Sequence, residues 1–178
     1  MVGGDARDRV QWAVTHLDVH PDDRILEIGS GGGTAVAAVC PLLTPGRGQI
    51  MAIDRSATAV KRTAARNAAY VDDGRAVVRA AGFTEADLAD VPDAAFDKIF
   101  SVNVNLFWTG PAVEELGLIR RLLAPDGAMF ACWGRGPTPG RSDEIAARVA
   151  ARFREAGFET SVASDTGLQC VTARPSPP

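Results

Sequence analysis

Short apolar runs alternate with stretches of helical spacing along most of this chain, and that rhythm restricts the folds open to it. The runs are Arg24 to Ile28, Gln49 to Ile53, Arg75 to Arg79, Phe96 to Val102 and Ala128 to Trp133. Between them lie good helix formers at three- and four-residue steps. Ser56 to Tyr70 is the clearest, with Ser56 as cap and Ala59, Val60, Thr63, Ala64, Asn67 and Ala68 on one stripe. Glu114 to Leu123, stopped by Pro125 and Gly127, and Ser142 to Ala156, stopped by Gly157, are two more. A short helix from about Ala6 to Leu17 precedes the first strand. Repeated strand–helix units imply a parallel sheet covered by helices on both faces. The rhythm changes at the end: Phe158 to Ala163 and Leu168 to Ala173 are both strand-like and leave no room for a helix between them, which predicts an antiparallel hairpin. The expected fold is therefore α/β: a doubly wound, mostly parallel seven-stranded sheet closing on that hairpin. One domain is expected over residues 1–178, with residues 1–20 as an N-terminal helix over the site and residues 175–178 as a loose tail.

Where the first strand meets the first long helix stands Ile25-Leu26-Glu27-Ile28-Gly29-Ser30-Gly31-Gly32-Gly33-Thr34. Gly29, Gly31 and Gly33 remove side chains where the chain must turn and where a ligand would approach the backbone. In an open parallel sheet the crevice at the carboxyl ends of the strands is the expected ligand site. Asp54 ends the next strand, and an acid in that place can accept hydrogen bonds from both hydroxyls of a ribose. Either feature has structural explanations of its own. Together, in this strand–helix context, they predict a nucleoside cofactor.

Composition narrows the remaining classes. A formal net charge of -3 argues against a broad nucleic-acid footprint. Cys40, Cys132 and Cys170 are three in number and far apart, and only His16 and His20 accompany them, which argues against a disulfide framework or a zinc site and favours a reducing cytoplasm. The first nine residues are charged and carry no apolar core, so no secretory signal or membrane span is expected.

A nicotinamide dinucleotide site asks for G-x-G-x-x-G. Counting from Gly29 the third position is Thr34, and counting from Gly31 it is Val36. The single tyrosine, Tyr70, is followed four residues on by Gly74 and not by lysine. A nicotinamide-dependent oxidoreductase is thus disfavoured. What does stand here, Glu27-x-Gly29-x-Gly31-x-Gly33, resembles motif I of the class I S-adenosylmethionine-dependent methyltransferases. Asp54-Arg55-Ser56 resembles that family's acidic ribose-binding segment. Phe96-Asp97-Lys98-Ile99-Phe100-Ser101 is similar to its fourth strand, and Leu122-Leu123-Ala124-Pro125-Asp126-Gly127-Ala128 to the turn before its fifth.

The resemblance implies roles for the matching positions. Glu27 and the backbone around Gly29, Ser30 and Gly31 would surround the methionine portion of S-adenosylmethionine, and Asp54, with Arg55 beside it, would hold the ribose. Ser101, Val102 and Asn103 would face the amino acid end and the sulfonium. Ala81-Gly82-Phe83-Thr84-Glu85 occupies the place of the family's adenine segment; Phe83 would lie against the base or in the core, and Glu85 would receive the amino group. The product would be S-adenosylhomocysteine. No carboxylate cluster resembles the metal site of catechol-type relatives, so no metal is expected.

Acceptor candidates cluster after the fourth strand. Ser101-Val102-Asn103-Val104 is unlike the Asn/Asp-Pro-Pro-aromatic segment of nucleobase and glutamine methylating relatives. Asn105, Phe107 and Trp108 either line an acceptor pocket, with Trp108 stacking on a flat or cationic group, or pack the following helix. His16 is either a general base on the N-terminal helix or a surface histidine. Arg135 and Arg141 would meet an anionic acceptor or remain solvated. The expected activity is methyl transfer to a small molecule, in a pocket that is open or completed by a second subunit of a homodimer. A non-methylating, regulatory S-adenosylmethionine-binding protein is the alternative.

Overall fold

Period-two burial runs through every central strand, and it divides the sheet into two cores. Leu26, Ile28, Ile99, Met129, Ala131 and Trp133 face one side, while Ile25, Phe100, Phe130, Cys132 and Cys170 face the other. The computed structural model describes residues 6–134, 142–165 and 167–176. Its strands are β1 (Arg24–Ile28), β2 (Gln49–Asp54), β3 (Ala76–Ala80), β4 (Phe96–Val102), β5 (Leu123–Gly134), β6 (Phe158–Asp165) and β7 (Leu168–Pro175). They form one seven-stranded sheet in the order β3-β2-β1-β4-β5-β7-β6. The pairs from β3 to β5 are parallel, and β7 joins β5 and β6 antiparallel. This is the expected doubly wound sheet with its terminal hairpin.

The helices are α1 (Ala6–Leu17), α2 (Thr34–Val39), α3 (Ala57–Arg66), α4 (Ala68–Asp72), α5 (Leu106–Thr109), α6 (Val113–Leu122) and α7 (Ser142–Glu155). Ala13, Val14 and Leu17 of α1 share one core with Val36 and Val39 of α2. Leu116 and Ile119 of α6 share the other with Val149 and Phe153 of α7. All three cysteines are buried in the α1–α2 core, and Cys132 lies directly opposite Cys170 in the β5–β7 ladder. Among the described residues no helix is long and apolar enough to cross a membrane.

Most expected boundaries shift by a residue or two, and three of the changes are instructive. The single helix read over Ser56 to Tyr70 is two helices, because Asn67 (φ -114°, ψ 26°) turns its side chain back on Thr63 O at 2.8 Å and leaves the helical path. The fifth strand begins at Leu123 and not Ala128. Leu123 already pairs with Phe96, and the register shift between Phe96 and Lys98 absorbs the Pro125-Asp126-Gly127 turn as a bulge within the strand. The terminal strand runs to Pro175, two residues past Ala173, and Ser176 N–H donates to Gly157 O at 3.2 Å.

Ion pairs gather at the amino ends of β1 and β4. Arg24 holds Asp97 through Nε at 3.1 Å and a second guanidinium nitrogen at 2.9 Å, and Lys98 Nζ donates to Asp23 at 2.5 Å. The strand order reverses between β1 and β4, so the carboxyl ends of these two strands open the crevice on the opposite side of the sheet.

Candidate active site

A cavity of about 960 Å³ occupies that crevice. The turn after β1 forms its floor. Gly29 and Ser30 both donate to Ile53 O, at 2.9 and 3.0 Å, which folds the turn across the end of β2. Gly29 has φ +79°, and a Cβ there would meet Val104 Cγ2 at 2.6 Å. Gly33, at φ +73°, is held from behind: a Cβ would lie 2.6 Å from Asn67 Nδ2 and 2.8 Å from Thr63 Cα. Asn67 Nδ2 also donates to Gly33 O at 3.0 Å, so α3 clamps the turn. At Gly31, by contrast, a Cβ would meet nothing within 4 Å. The turn is backed tightly on the protein side and open on the cavity side.

Asp54 fixes the neighbouring wall. Its Oδ2 accepts from Gly31 N–H at 2.9 Å and its Oδ1 from Ser56 N–H at 2.8 Å. Arg55 lines the same wall. Gly82 and Phe83 continue it after β3, and Phe83, only 8% exposed, belongs to the core and to the cavity lining at once. Glu85, expected to receive the amino group of the base, does not border the cavity and pairs with Arg121 at 3.1 Å, while Asp87 Oδ2 accepts from Gly82 N–H at 2.8 Å.

Glu27 sits behind the turn, 3% exposed, with Oε2 lacking any hydrogen-bond partner. Burial, and then the nearby charge of Asp54, push its pKa up to about 8. A buried carboxyl beside an open backbone cradle is a group that lacks a cationic partner.

Across the crevice, Val102 and Asn103 end β4. Asn103 takes φ +58°, a left-handed conformation that asparagine tolerates. Its N–H donates to Cys132 O at 2.9 Å, and its Oδ1 accepts from Gly134 N–H at 3.0 Å, so one residue sets the gap between the ends of β4 and β5. Beyond it the cavity continues past Asn105 and Leu106 to Trp108, Thr109, Glu115 and Trp133. Trp108 and Trp133 lie 5.4 Å apart at 52°.

The residues expected from the sequence separate cleanly. Gly29, Gly31, Asp54, Arg55, Gly82, Phe83, Val102, Asn103, Asn105 and Trp108 border the cavity. Glu27, Ser30, Gly33 and Ser101 stand behind it. Ser30 Oγ accepts from Thr63 Oγ1 at 3.3 Å, and Ser101 is buried in β4. His16 does not border it: Nδ1 donates to Trp12 O at 2.9 Å, and the two rings are 4.0 Å apart. Helix α1 approaches the site through Arg9, since a Cβ on Gly134 would fall 2.1 Å from Arg9 Cδ. Arg135 and Arg141 lie outside the described residues. Asn67, Trp133 and Glu115 had no site role in the sequence. Among the described residues no three metal-ligating side chains gather.

The family model described as a methyltransferase domain matches residues 26–129, more than half of the chain and all of the turn, Asp54, Asn103 and Trp108. The chain belongs to this family. Its methyl donor is S-adenosylmethionine, and the residues fit that group: the open backbone at Gly31 and the carboxylate of Asp54 line one crevice, and the orphaned Glu27 is buried behind it. The nicotinamide-dependent reading is left without support. No curated protein matches the methyltransferase in sequence. Solved structures share its fold. One is a SAM dependent methyltransferase from Aquifex aeolicus, at 16% identity and TM-score 0.74, covering 92% of this chain and 88% of that one. Another is a precorrin-6y C5,15-methyltransferase from Geobacter metallireducens GS-15, at 18% and 0.71, covering 94% and 87%. A third is a geranyl diphosphate methyltransferase in complex with S-adenosylmethionine, at 11% and 0.69, covering 94% and 83%.

Proposed function

We propose that this methyltransferase acts on a small molecule seated against α5 and the first turn of α6. The observation that carries the reading is the continuity of one cavity, from the Gly31–Asp54 wall past Asn103 to Trp108 and Trp133. A volume near 960 Å³ lies at the upper end of the range usual for small-ligand sites, which suits a nucleoside cofactor and a modest acceptor together.

The cofactor supplies a methyl group activated by a sulfonium. The protein's contribution is alignment and exclusion of water, which is worth several kcal/mol when reacting atoms are held in line. Asp54 would anchor the ribose and Glu27 would balance positive charge on the cofactor. Asn103 would fix the wall between donor and acceptor. Asn105 and Trp108 would orient the acceptor, its lone pair directed at the methyl carbon. His16 is left out of this assignment, because its ring is turned onto Trp12 and away from the cavity.

The test is calorimetric titration of S-adenosylmethionine, S-adenosylhomocysteine and NAD into the wild type and Asp54→Ala, followed by methyl transfer to a panel of small acceptors, folded proteins and RNA. Binding of both sulfur nucleosides but not NAD, with transfer confined to small molecules, is the expected result. Transfer to protein or RNA alone would refute the small-molecule assignment.

A further inference from the structure

We infer that the acceptor is a cationic amine, held by the carboxylate of Glu115 against the rings of Trp108 and Trp133. The inference rests on the methyltransferase reading and specifies its second substrate.

Beyond Asn103 the cavity is bordered by neutral or apolar side chains with one exception, the half-buried Glu115. Three cations on α6 and α7 are engaged elsewhere. Arg121 pairs with Glu85 and Asp93, Arg120 donates to the carbonyls of Ala156 and Gly157, and Arg152 donates to Phe107 O. Among the described residues Glu115 forms no ion pair. Its place in the first turn of α6 stabilises it modestly, yet Glu114 shares that benefit and does not border the cavity. A bound acceptor would strip water from the Glu115 carboxylate, and a neutral one would return a hydrogen bond at most, an anionic one nothing. A protonated amine supplies the missing charge. It also gains from the indoles of Trp108 and Trp133 that border the same cavity, since indole rings attract cations.

The step balances. The bound ammonium gives one proton to the Glu115 carboxylate, and the freed nitrogen lone pair forms a bond to the methyl carbon. The pair from the breaking carbon–sulfur bond stays on sulfur, now a neutral thioether, and the positive charge leaves on the N-methylated ammonium. Glu115 then returns its proton to solvent.

The experiment first titrates S-adenosylhomocysteine into wild type, Glu115→Gln and Glu114→Gln. Phenethylamine and tryptamine, the alcohols phenethyl alcohol and tryptophol, and the acids phenylacetate and indoleacetate are then titrated into each loaded protein. Amine binding is expected to exceed that of the alcohols and acids at least tenfold, and methylated amine should appear by mass spectrometry. Glu115→Gln should weaken amine binding by roughly ten- to a hundredfold, with the affinity for S-adenosylhomocysteine unchanged, which also reports an intact fold. Glu114→Gln should match the wild type. Equal binding of alcohols or acids, no binding of either amine to the loaded wild type, or an unaffected Glu115→Gln would overturn the amine assignment alone. Failure of S-adenosylhomocysteine to bind the wild type would overturn the methyltransferase reading and this assignment with it.

Discussion

The amide of Gly31 donates to Oδ2 of Asp54 across 2.9 Å, so the residue that would hold the ribose also holds the turn beside it. With Oδ1 taken by the amide of Ser56, the carboxylate is oriented before any ligand arrives. Removal of Asp54 would therefore cost the proposed ribose contact together with its preorganisation. Asp54→Ala should weaken S-adenosylhomocysteine by about ten- to a hundredfold or more. Asp54→Asn, able to accept from one of the two amides, should fall between that variant and the wild type. Calorimetry that ranks the two equally would show that orientation contributes nothing.

Glu27 gives the protein a stability that depends on pH. Its folded-state pKa of about 8 lies above the ordinary 4.5, so the folded chain keeps a proton that the unfolded chain releases between those values. The contribution is fully present below pH 4.5 and is lost as pH rises towards 8. Glu27→Gln, neutral throughout, should raise the stability of the ligand-free protein at pH 8 by roughly 3–5 kcal/mol, while cofactor affinity falls. In the wild type, cofactor binding near pH 7 should release a proton, seen as a calorimetric enthalpy that changes with the buffer's heat of ionisation. A buffer-independent enthalpy would mean that Glu27 does not answer the cofactor's charge.

The clamp behind the turn should be visible in unfolding. Asn67→Ala removes two side-chain hydrogen bonds, leaving the carbonyls of Gly33 and Thr63 only their backbone donors, and about 1–3 kcal/mol of stability should be lost in a urea titration. Gly33→Ala forces a side chain into φ +73° and against Asn67 and should cost a similar amount or more. Because both changes act on one contact, the double variant should lose less than the sum. Strict additivity would place the two effects in separate parts of the molecule.

Burial keeps the thiols unreactive. It pushes Cys40 up to about 12, and it raises Cys132 well above its ordinary value with help from the adjacent Cys170. Thiolate is the reactive form, so Ellman's reagent at pH 8 should label the folded, reduced protein slowly and all three cysteines rapidly in guanidinium. Fast labelling of Cys40 in the folded protein would contradict the packing of the α1–α2 core.

Much of this was legible before any coordinates. Gly29, Gly31, Gly33 and Asp54 announce themselves because each solves a local problem, a turn or a strand end, that residue type alone can satisfy. Trp133 was readable in principle: counting by twos from Met129 places it on the α6–α7 face, at the carboxyl end of its strand where the crevice opens. Asn67 looked like one more residue on a helical stripe. Only the partner 34 residues earlier in the chain shows that it breaks the helix to clamp Gly33. Glu115 was hidden by its neighbour. Which of two consecutive glutamates meets the cavity depends on the left-handed backbone at Ala112, φ +53°, which aims α6, and no spacing rule records that.

The ion pairs Arg24–Asp97 and Lys98–Asp23 lie at the amino ends of β1 and β4, on the far side of the sheet from α5 and the first turn of α6. What fastens the two central strands is thus apart from the end of the sheet where the acceptor is proposed to sit. Substitutions at Asn105 or Glu115 would alter the proposed acceptor end and leave both ion pairs in place.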